Sequence, residues 1–184
     1  ALPAPASAQS TIVVTTRNET FTNLSSIPGI SGVTTQSYPL GGCFSADDCL
    51  SGAITLPFTF RYFGANQTSI RVDSNAWFAF GSGASFSDFS NDPIPSSNTP
   101  NNVIMPWWDD NFGLGLSYGT IGSAPNRVFV IELSFRPLSG SGNGRVQVWL
   151  YEDAAAGQDN PFEVKYGGSI SATFGPSASV GFEN

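Results

Sequence analysis

The sequence predicts an all-β fold, an antiparallel, jelly-roll-like β-sandwich of roughly ten to twelve short strands with an extended N-terminal tail. Three observations support this prediction. Apolar residues alternate with polar ones in several segments, turn residues separate these segments, and helical periodicity is absent apart from one turn at residues 153–156. The length of 184 residues suits a single sandwich domain, which we place at residues 18–184.

Residues 1–17 are predicted to form the extended tail and a strand at its end. Ala6-Ser7-Ala8 resembles the small-residue end of a signal peptide, which indicates export. The next stretch, Ser10–Thr16 (STIVVTT), is rich in β-branched residues and is therefore predicted to be a strand. Because it follows a flexible tail, it can pair with its own sheet or with that of a neighbouring copy. The candidate assembly strand consists of Thr11, Ile12, Val13, Val14 and Thr15.

Three glycosylation sequons begin at Asn18, Asn23 and Asn66, and they would suit a glycosylated exported protein. The alternative is that the sequons carry no glycan, because a chain this rich in Asn, Ser and Thr also produces sequons by chance. Beyond the first two sequons, residues 27–38 are predicted to be a loop with one irregular strand.

The two cysteines, Cys43 and Cys49, are predicted to close a small disulfide loop. They lie in a polar segment with glycines on both sides, GGCFSADDCLSG. A metal site would need more ligands, and the chain has no histidine to supply them. A thioredoxin-like pair would be spaced CxxC. A disulfide indicates an oxidising compartment, and hence a secreted, extracellular or cell-surface protein.

The clearest strand of the N-terminal half is residues 53–63. Pro57 has no N–H to donate, so this strand is predicted to lie at a sheet edge or to begin its pairing after the proline. Residues 68–81 continue as a strand that breaks at residues 73–75, where Asn75 is expected to take a left-handed conformation. Four alternate apolar side chains of the first segment fall on one face: Leu56, Phe58, Phe60 and Tyr62.

The segment 102–110 (NVIMPWWDD) is predicted to be the packing centre of the fold. It follows a long polar loop, residues 82–102, and contains two of the four tryptophans. Trp107 and Trp108 are adjacent, so on a strand only one of them can face the core, and the other needs cover from a loop or a partner. The following residues, 111–123, are glycine-rich with one strand-like piece.

The C-terminal half contains four predicted strands. Apolar residues alternate in the first three, and Asn143-Gly144 between the first two is a strong hairpin signal. These strands are residues 127–137, 145–152, 162–166 and 178–182.

The charge of the chain argues against several classes of function. Seven Lys and Arg stand against fourteen Asp and Glu, a formal net charge of −7, and the basic residues are scattered. Nucleic-acid binding requires a clustered basic footprint, so neither nucleic acid nor an anionic membrane surface is an expected partner. No apolar run is long enough to span a bilayer.

Several motifs resemble those of nidogen-type (NIDO-like) extracellular β-sandwich domains of bacterial exported proteins and animal matrix proteins. They are residues 56–82 (LPFTFRYFGANQTSIRVDSNAWFAFGS), residues 102–112 (NVIMPWWDDNF), and the segments RVFVIELSF, RVQVWLYED and FEVKYGG, followed by ASVGFEN at residues 178–184. One glycine of the family motif stands as Ala76 in this chain. Over about residues 53–184, the resemblance implies an extracellular adhesive or scaffolding role and supplies no catalytic residues.

Catalysis is not expected, and the chain is predicted not to be an enzyme. Without histidine there is no Ser-His-Asp or Cys-His machinery. A paired-carboxylate glycoside hydrolase remains a remote option, since such enzymes hold two acids about 5 to 10 Å apart. Solvated or salt-bridged roles are the alternative for the candidate acids, which are Glu132, Glu152, Glu163, Asp109 and Asp110.

Calcium is the one cofactor that the sequence suggests, because Ca²⁺ takes about six to eight oxygen ligands from carboxylates, carbonyls and Asn side chains. The alternative for the adjacent aspartates is capping of a turn or strand end, with no cofactor bound. The candidate ligands are Asp109, Asp110 and Asn111, and two other clusters are Asp88 with Asn91 and Asp92, and Asp47 with Asp48.

Trp149 and Tyr151 are the candidate platform for binding a glycan. They share the face of their strand that lies opposite an apolar row, which in a two-sheet sandwich is the outer face. An outward Trp–Tyr pair would offer a contact surface. The alternative is that this face is covered, for example by the loop 82–102.

These observations predict a secreted, non-enzymatic structural or adhesive protein. The leading hypothesis is a self-assembling subunit of an extracellular filament or surface layer, in which the N-terminal strand completes a neighbour's sheet and forms a homopolymer. The alternative is a monomeric adhesion module that binds glycan or matrix protein through Trp149, Tyr151 and the loop 82–102.

Overall fold

The computed structural model describes residues 13–139, 141–155, 157–168 and 177–184. It confirms the predicted all-β fold, an antiparallel β-sandwich in which the described residues form ten strands in two sheets. Within these ranges the one helical element is a 3₁₀ helix, Leu24–Ser26. No helix of the described residues has the length and apolarity required to cross a membrane. The strands are β1 (Ile30–Ser37), β2 (Ile54–Tyr62), β3 (Ala65–Val72), β4 (Phe78–Phe80), β5 (Val103–Trp108), β6 (Asn111–Ile121), β7 (Val128–Pro137), β8 (Gly144–Tyr151), β9 (Phe162–Gly168) and β10 (Ser179–Glu183).

The strand order determines which strands lie at sheet edges. The first sheet has the order β1-β6-β7-β8-β9, and the second has the order β10-β5-β4-β3-β2. Each sheet is thus a meander of consecutive strands extended by one strand from elsewhere in the chain. Pro57 lies in β2, the last strand of its sheet. The predicted edge position of this strand is confirmed. Because β2 has a neighbour on one side only, the missing N–H of Pro57 does not interrupt hydrogen bonding between two inner strands.

The main core lies between the two sheets and is built from the side chains that the alternation predicted. In β2, alternate residues from Ile54 to Tyr62 are buried. Full burial of an apolar side chain of this size stabilises the fold by about 1.5–3 kcal/mol. The first sheet contributes Phe129, Ile131, Leu133, Phe135, Val146, Val148 and Leu150 to the same cluster.

A second apolar cluster lies under the loop 82–102, on the other face of the second sheet. Trp77 and Trp108 are fully buried in it. Their indole N–H groups both donate to the carbonyl oxygen of Asp88, each at 2.9 Å. The adjacent Trp107 packs against the main core instead. The loop therefore supplies the cover that one of the paired tryptophans was predicted to need.

β6 is longer than the glycine-rich sequence predicted, with 11 residues in one strand. Its glycines leave room for residues in and just after β1, its neighbour in the sheet. A Cβ at Gly113 would lie 2.6 Å from the ring of Tyr38, and one at Gly119 would lie 2.9 Å from the side chain of Ile30. Alternation of apolar side chains could not reveal this strand, because Gly113 and Gly119 must lack a side chain to leave room for Tyr38 and Ile30.

The turn between β3 and β4 differs from the prediction at one residue. Its left-handed residue is Ala76, with a φ of 58°, so the expectation for Asn75 is wrong. Ala76 is the position at which the resembling motif has glycine, and the backbone keeps the left-handed conformation with alanine there. Asn75 instead uses its side chain to connect three segments around this turn.

Candidate functional site

Three regions contain most of the residues that the sequence singled out. They are the disulfide loop with the turns beside it, the outer face of β8, and a groove beside the N-terminal segment, which we define as residues 13–24.

The disulfide loop is packed against the two turns that precede β4 and β6. Cys43 and Cys49 are bonded, as predicted, with their Cα atoms 5.5 Å apart. The backbone N–H of Cys49 donates to Ser74 Oγ at 2.9 Å. On the other side, Asp47 forms an isolated β-bridge with Phe112. The loop thereby holds two consecutive aspartates next to the start of β6.

The aspartates of this region are distributed differently from the prediction. One carboxylate oxygen from each of Asp47, Asp48 and Asp110 lies within 4.8 Å of the other two. We call these three residues the acidic cluster. From the sequence we predict Asp110 in a group with Asp109 and Asn111, and Asp47 with Asp48 as a separate pair. The fold joins Asp110 to that pair.

Asp109 and Asn111 have other contacts. Asp109 Oδ1 accepts hydrogen bonds from the backbone N–H of Asp110 and from Ser177 Oγ, both at 3.0 Å. This is the strand-end capping that the sequence left as an alternative. Asn111 is fully buried and donates its side-chain N–H groups to the carbonyl oxygens of Trp107 and Asp109. Its Oδ1 is buried without a hydrogen bond in the described part of the chain.

Asn75 connects these segments, although the sequence indicated only a turn at this position. Its Nδ2 donates to Asp48 Oδ1 at 3.0 Å, and its Oδ1 accepts from the backbone N–H of Asn111 at 2.8 Å. Its own backbone N–H donates to Asp73 Oδ1 at 2.9 Å. A short polar turn between two aromatic strands was the only signal, and it did not distinguish a connecting residue from an ordinary turn residue.

Burial and like charges disfavour ionisation of several carboxyls here. Burial, followed by the charges of Asp47 and Asp48, raises the pKa of Asp110. Burial and Asp48 raise the pKa of Asp47, whereas the Arg136 guanidinium lowers it. Burial raises the pKa of Asp73 to about 7.

The predicted aromatic platform lies on the outer face of β8, where the N-terminal segment covers it. Trp149 is half-buried, and Lys165 Nζ lies 3.9 Å from the centre of its ring. Leu24 and Ile27 pack with Val130 and Trp149 in an apolar cluster on this face. The cover anticipated from the loop 82–102 is thus provided by residues near the N-terminus. Tyr151, the second platform residue, is also half-buried.

The three candidate glutamates are engaged with donors and cations. Glu132 accepts hydrogen bonds from the backbone N–H of Leu24 and from Gln147 Nε2, at 2.8 and 2.7 Å. Each of the other two pairs with an arginine: Glu152 Oε1 with Arg127 at 2.5 Å and Glu163 Oε1 with Arg17 at 2.6 Å. Their arrangement is that of structural ion pairs rather than of an exposed acid pair.

A groove of about 1040 Å³ lies between the N-terminal segment, β9 and β10. Val13 and Val14 line it, with 77% and 71% of their surfaces exposed, and they belong to no strand. Of the candidate assembly strand, Thr11 and Ile12 lie outside the described residues, as does the predicted tail before them. Two salt bridges, Arg17–Glu163 at 2.6 Å and Lys165–Glu19 at 2.9 Å, hold the next residues against β9.

All three sequon asparagines are on the surface. Asn18, Asn23 and Asn66 are exposed. Asn23 Oδ1 also accepts a hydrogen bond from Arg145 Nη1 at 2.6 Å, which ties this residue to β8. Glycosylation at these positions stays a prediction.

A family model described as NIDO related matches residues 12–184, nearly the whole chain. The match begins well before residue 53, so it includes β1 and the disulfide loop as well as the motifs that carry the resemblance. It confirms that resemblance. No curated protein and no solved structure is significantly similar to the chain.

Proposed function

The chain belongs to the NIDO-related family, and on this premise we propose that it is a non-enzymatic, extracellular structural or adhesive module whose copies assemble through their N-terminal strands. The family match and the Cys43–Cys49 disulfide fit an extracellular β-sandwich module. The observation that carries the assembly proposal is the groove between β9 and β10.

The groove has the properties of a strand acceptor. β9 ends the first sheet and β10 ends the second. An edge strand presents unpaired N–H and C=O groups, which can pair with a strand of another chain. Exposed apolar side chains line the groove beside these edges: Phe63, Tyr166 and Val180. A strand with apolar side chains would cover both the edge and this apolar surface.

The proposed occupant is the strand Ser10–Thr16 of a second copy. Salt bridges hold the chain against β9 from Arg17 onwards. The residues before Arg17 therefore start at the groove, and Val13 and Val14 leave most of their surface uncovered in their own copy. In strand addition, backbone hydrogen bonds supply affinity, and alternate side chains fill pockets. A segment of β-branched residues suits that role.

Two variants test this assembly, and they complement each other. A chain lacking residues 1–16 loses the strand but keeps the part of the groove formed by β9, β10 and the residues from Arg17 onwards. Val180→Asp keeps the strand and places a charge in the groove. By light scattering and electron microscopy we expect the wild type to form polymers and each variant alone to be monomeric. An equal mixture of the two should form heterodimers, because the strand of Val180→Asp can enter the groove of the truncated chain.

The matched control is Val33→Asp, which changes an exposed valine on β1, the opposite edge of the first sheet. It should polymerise like the wild type. A wild-type chain that stays monomeric, a truncated chain that still polymerises, or a mixture that stays monomeric would each contradict assembly through strand addition.

The alternative proposal is adhesion to a glycan through Trp149 and Tyr151. Lys165 and the N-terminal segment cover Trp149, whereas the groove is open. The observations therefore support assembly more strongly than adhesion. A glycan array with the wild type and Trp149→Ala separates the two, since only the adhesive role predicts binding that the substitution abolishes. A glycoside hydrolase is not proposed, because the three candidate glutamates are occupied by structural partners.

A further inference from the structure

The acidic cluster has the spacing that one metal ion requires. The oxygens of Asp47, Asp48 and Asp110 lie within 4.8 Å of one another. Calcium binds oxygen at about 2.3–2.6 Å, so two oxygens on opposite sides of one ion are separated by up to about 5 Å. Asp48 is exposed, and Asp47 and Asp110 are half-buried. An ion can therefore reach the cluster from solvent.

A second observation, independent of this spacing, is a set of buried oxygens that lack donors in the described part of the chain. Asn111 and Asp73 are fully buried, yet Asn111 Oδ1 and Asp73 Oδ2 accept no hydrogen bond there. Asp47 Oδ1, within the cluster, is also buried without a donor. Native proteins pair nearly all such atoms, with protein, water or an ion. Asn75 connects both residues to the cluster: its Nδ2 donates to Asp48 Oδ1, its Oδ1 accepts from the backbone N–H of Asn111, and its own backbone N–H donates to Asp73 Oδ1.

The charge balance of the region points the same way. Asp73, Asp109 and the acidic cluster place five carboxyls around two turns and the disulfide loop. The cation that acts on Asp47 is Arg136, whose guanidinium lies 4.3 Å from the ring of Phe112. One guanidinium leaves most of this negative charge uncompensated. A divalent cation held between the three carboxylates of the acidic cluster would offset the repulsion among them.

We propose that Asp47, Asp48 and Asp110 bind one Ca²⁺ ion, with Asn111 beside them as a further oxygen donor. The donor set is entirely oxygen, which suits calcium or magnesium, and the two cysteines are bonded to each other and unavailable as thiolates. The ligands come from irregular loops, and calcium tolerates irregular geometry whereas magnesium demands a near-ideal octahedron. The bound ion would tie the disulfide loop to the start of β6.

The test is calorimetric titration of CaCl₂ into protein treated with EDTA, together with thermal unfolding in CaCl₂ and in EDTA. We expect one calcium per chain, a higher Tm in calcium, and at least tenfold weaker binding of MgCl₂. Asp110→Asn and Asp48→Asn should each weaken calcium binding at least tenfold. Asp48 is exposed, so its substitution leaves the folded core intact.

The matched control is Asp153→Asn, which removes the same charge from an exposed position outside the cluster and should bind calcium like the wild type. Absence of binding by the wild type up to about 10 mM CaCl₂, above the range of weak extracellular sites, would overturn the proposal. Wild-type affinity in both Asp110→Asn and Asp48→Asn would overturn it as well.

Discussion

Glu132 Oε2 accepts a hydrogen bond from the backbone N–H of Leu24 at 2.8 Å, across 108 positions of the sequence. The same oxygen accepts from Gln147 Nε2 at 2.7 Å, and the other carboxylate oxygen lies 3.6 Å from Arg145. Glu132 is only 7% exposed. A residue that the sequence analysis named only as a candidate catalytic acid therefore anchors the 3₁₀ helix to the first sheet.

Removing that carboxylate should therefore destabilise the fold. We expect Glu132→Ala to lower the free energy of unfolding by about 3 kcal/mol, because it leaves buried donors without an acceptor. Glu132→Gln should cost less, since its amide oxygen can still accept. Urea unfolding measures both. The control is Glu19→Ala, which removes an exposed ion-pair partner of Lys165 and should have a much smaller effect. Equal losses of stability in Glu19→Ala and Glu132→Ala would contradict the anchoring role.

Gly167 should be intolerant of a side chain because of the N-terminal segment. A Cβ at this position would lie 2.4 Å from the ring of Phe21, whereas a Cβ at Gly52 would meet nothing within 4 Å. We expect Gly167→Ala to cost about 1–3 kcal/mol of stability, as overpacking does. Hydrogen exchange should show faster exchange in residues 17–24 of this variant and unchanged exchange in Gly52→Ala. Similar protection in both variants would show that Phe21 is not packed there.

The disulfide should stabilise both the fold and the proposed calcium site. Replacing both cysteines, Cys43→Ala with Cys49→Ala, removes a short cross-link and should cost about 2 kcal/mol in urea unfolding. It should also weaken calcium binding, because Asp47 and Asp48 would no longer be held beside Asp110. Dithiothreitol treatment of the wild type should reproduce both effects. Unchanged calcium affinity after loss of the bond would separate the loop from the ion site.

The raised pKa of Asp73 predicts a pH dependence of stability. The pKa of this carboxyl is about 7 in the fold, and an unfolded aspartate has a pKa of about 3.9. Between these values the folded state binds more protons than the unfolded state, so the free energy of unfolding falls as pH rises through this window. Asp73→Asn removes that dependence.

Urea unfolding in EDTA at pH 5 and pH 8 measures the effect of Asp73. The stability of Asp73→Asn relative to the wild type should be greater at pH 8 than at pH 5. Parallel pH profiles for the two proteins would mean that Asp73 titrates at its ordinary pKa.

The pattern of residues along the chain was sufficient to predict the architecture and several local features. Alternation at period two identified the inward faces of β2, β7 and β8, because a strand buried on one face must repeat its apolar residues every second position. Pro57 marked an edge, and Cys43 with Cys49 marked a disulfide. The paired tryptophans required cover on both sides of β5, which the loop 82–102 and the main core provide.

The position of the candidate site, in contrast, depends on contacts between segments that are distant in the sequence. Asp47 and Asp110 are far apart in the chain, and their proximity depends on how the disulfide loop docks against β6. The N-terminal segment covers Trp149 because Glu132 and Gln147 hold its backbone, and no local pattern reveals such a long-range hydrogen bond. Periodicity reports which face of a strand is buried. Contacts between distant segments depend on how the whole sandwich packs, so they cannot be read from the periodicity of one strand.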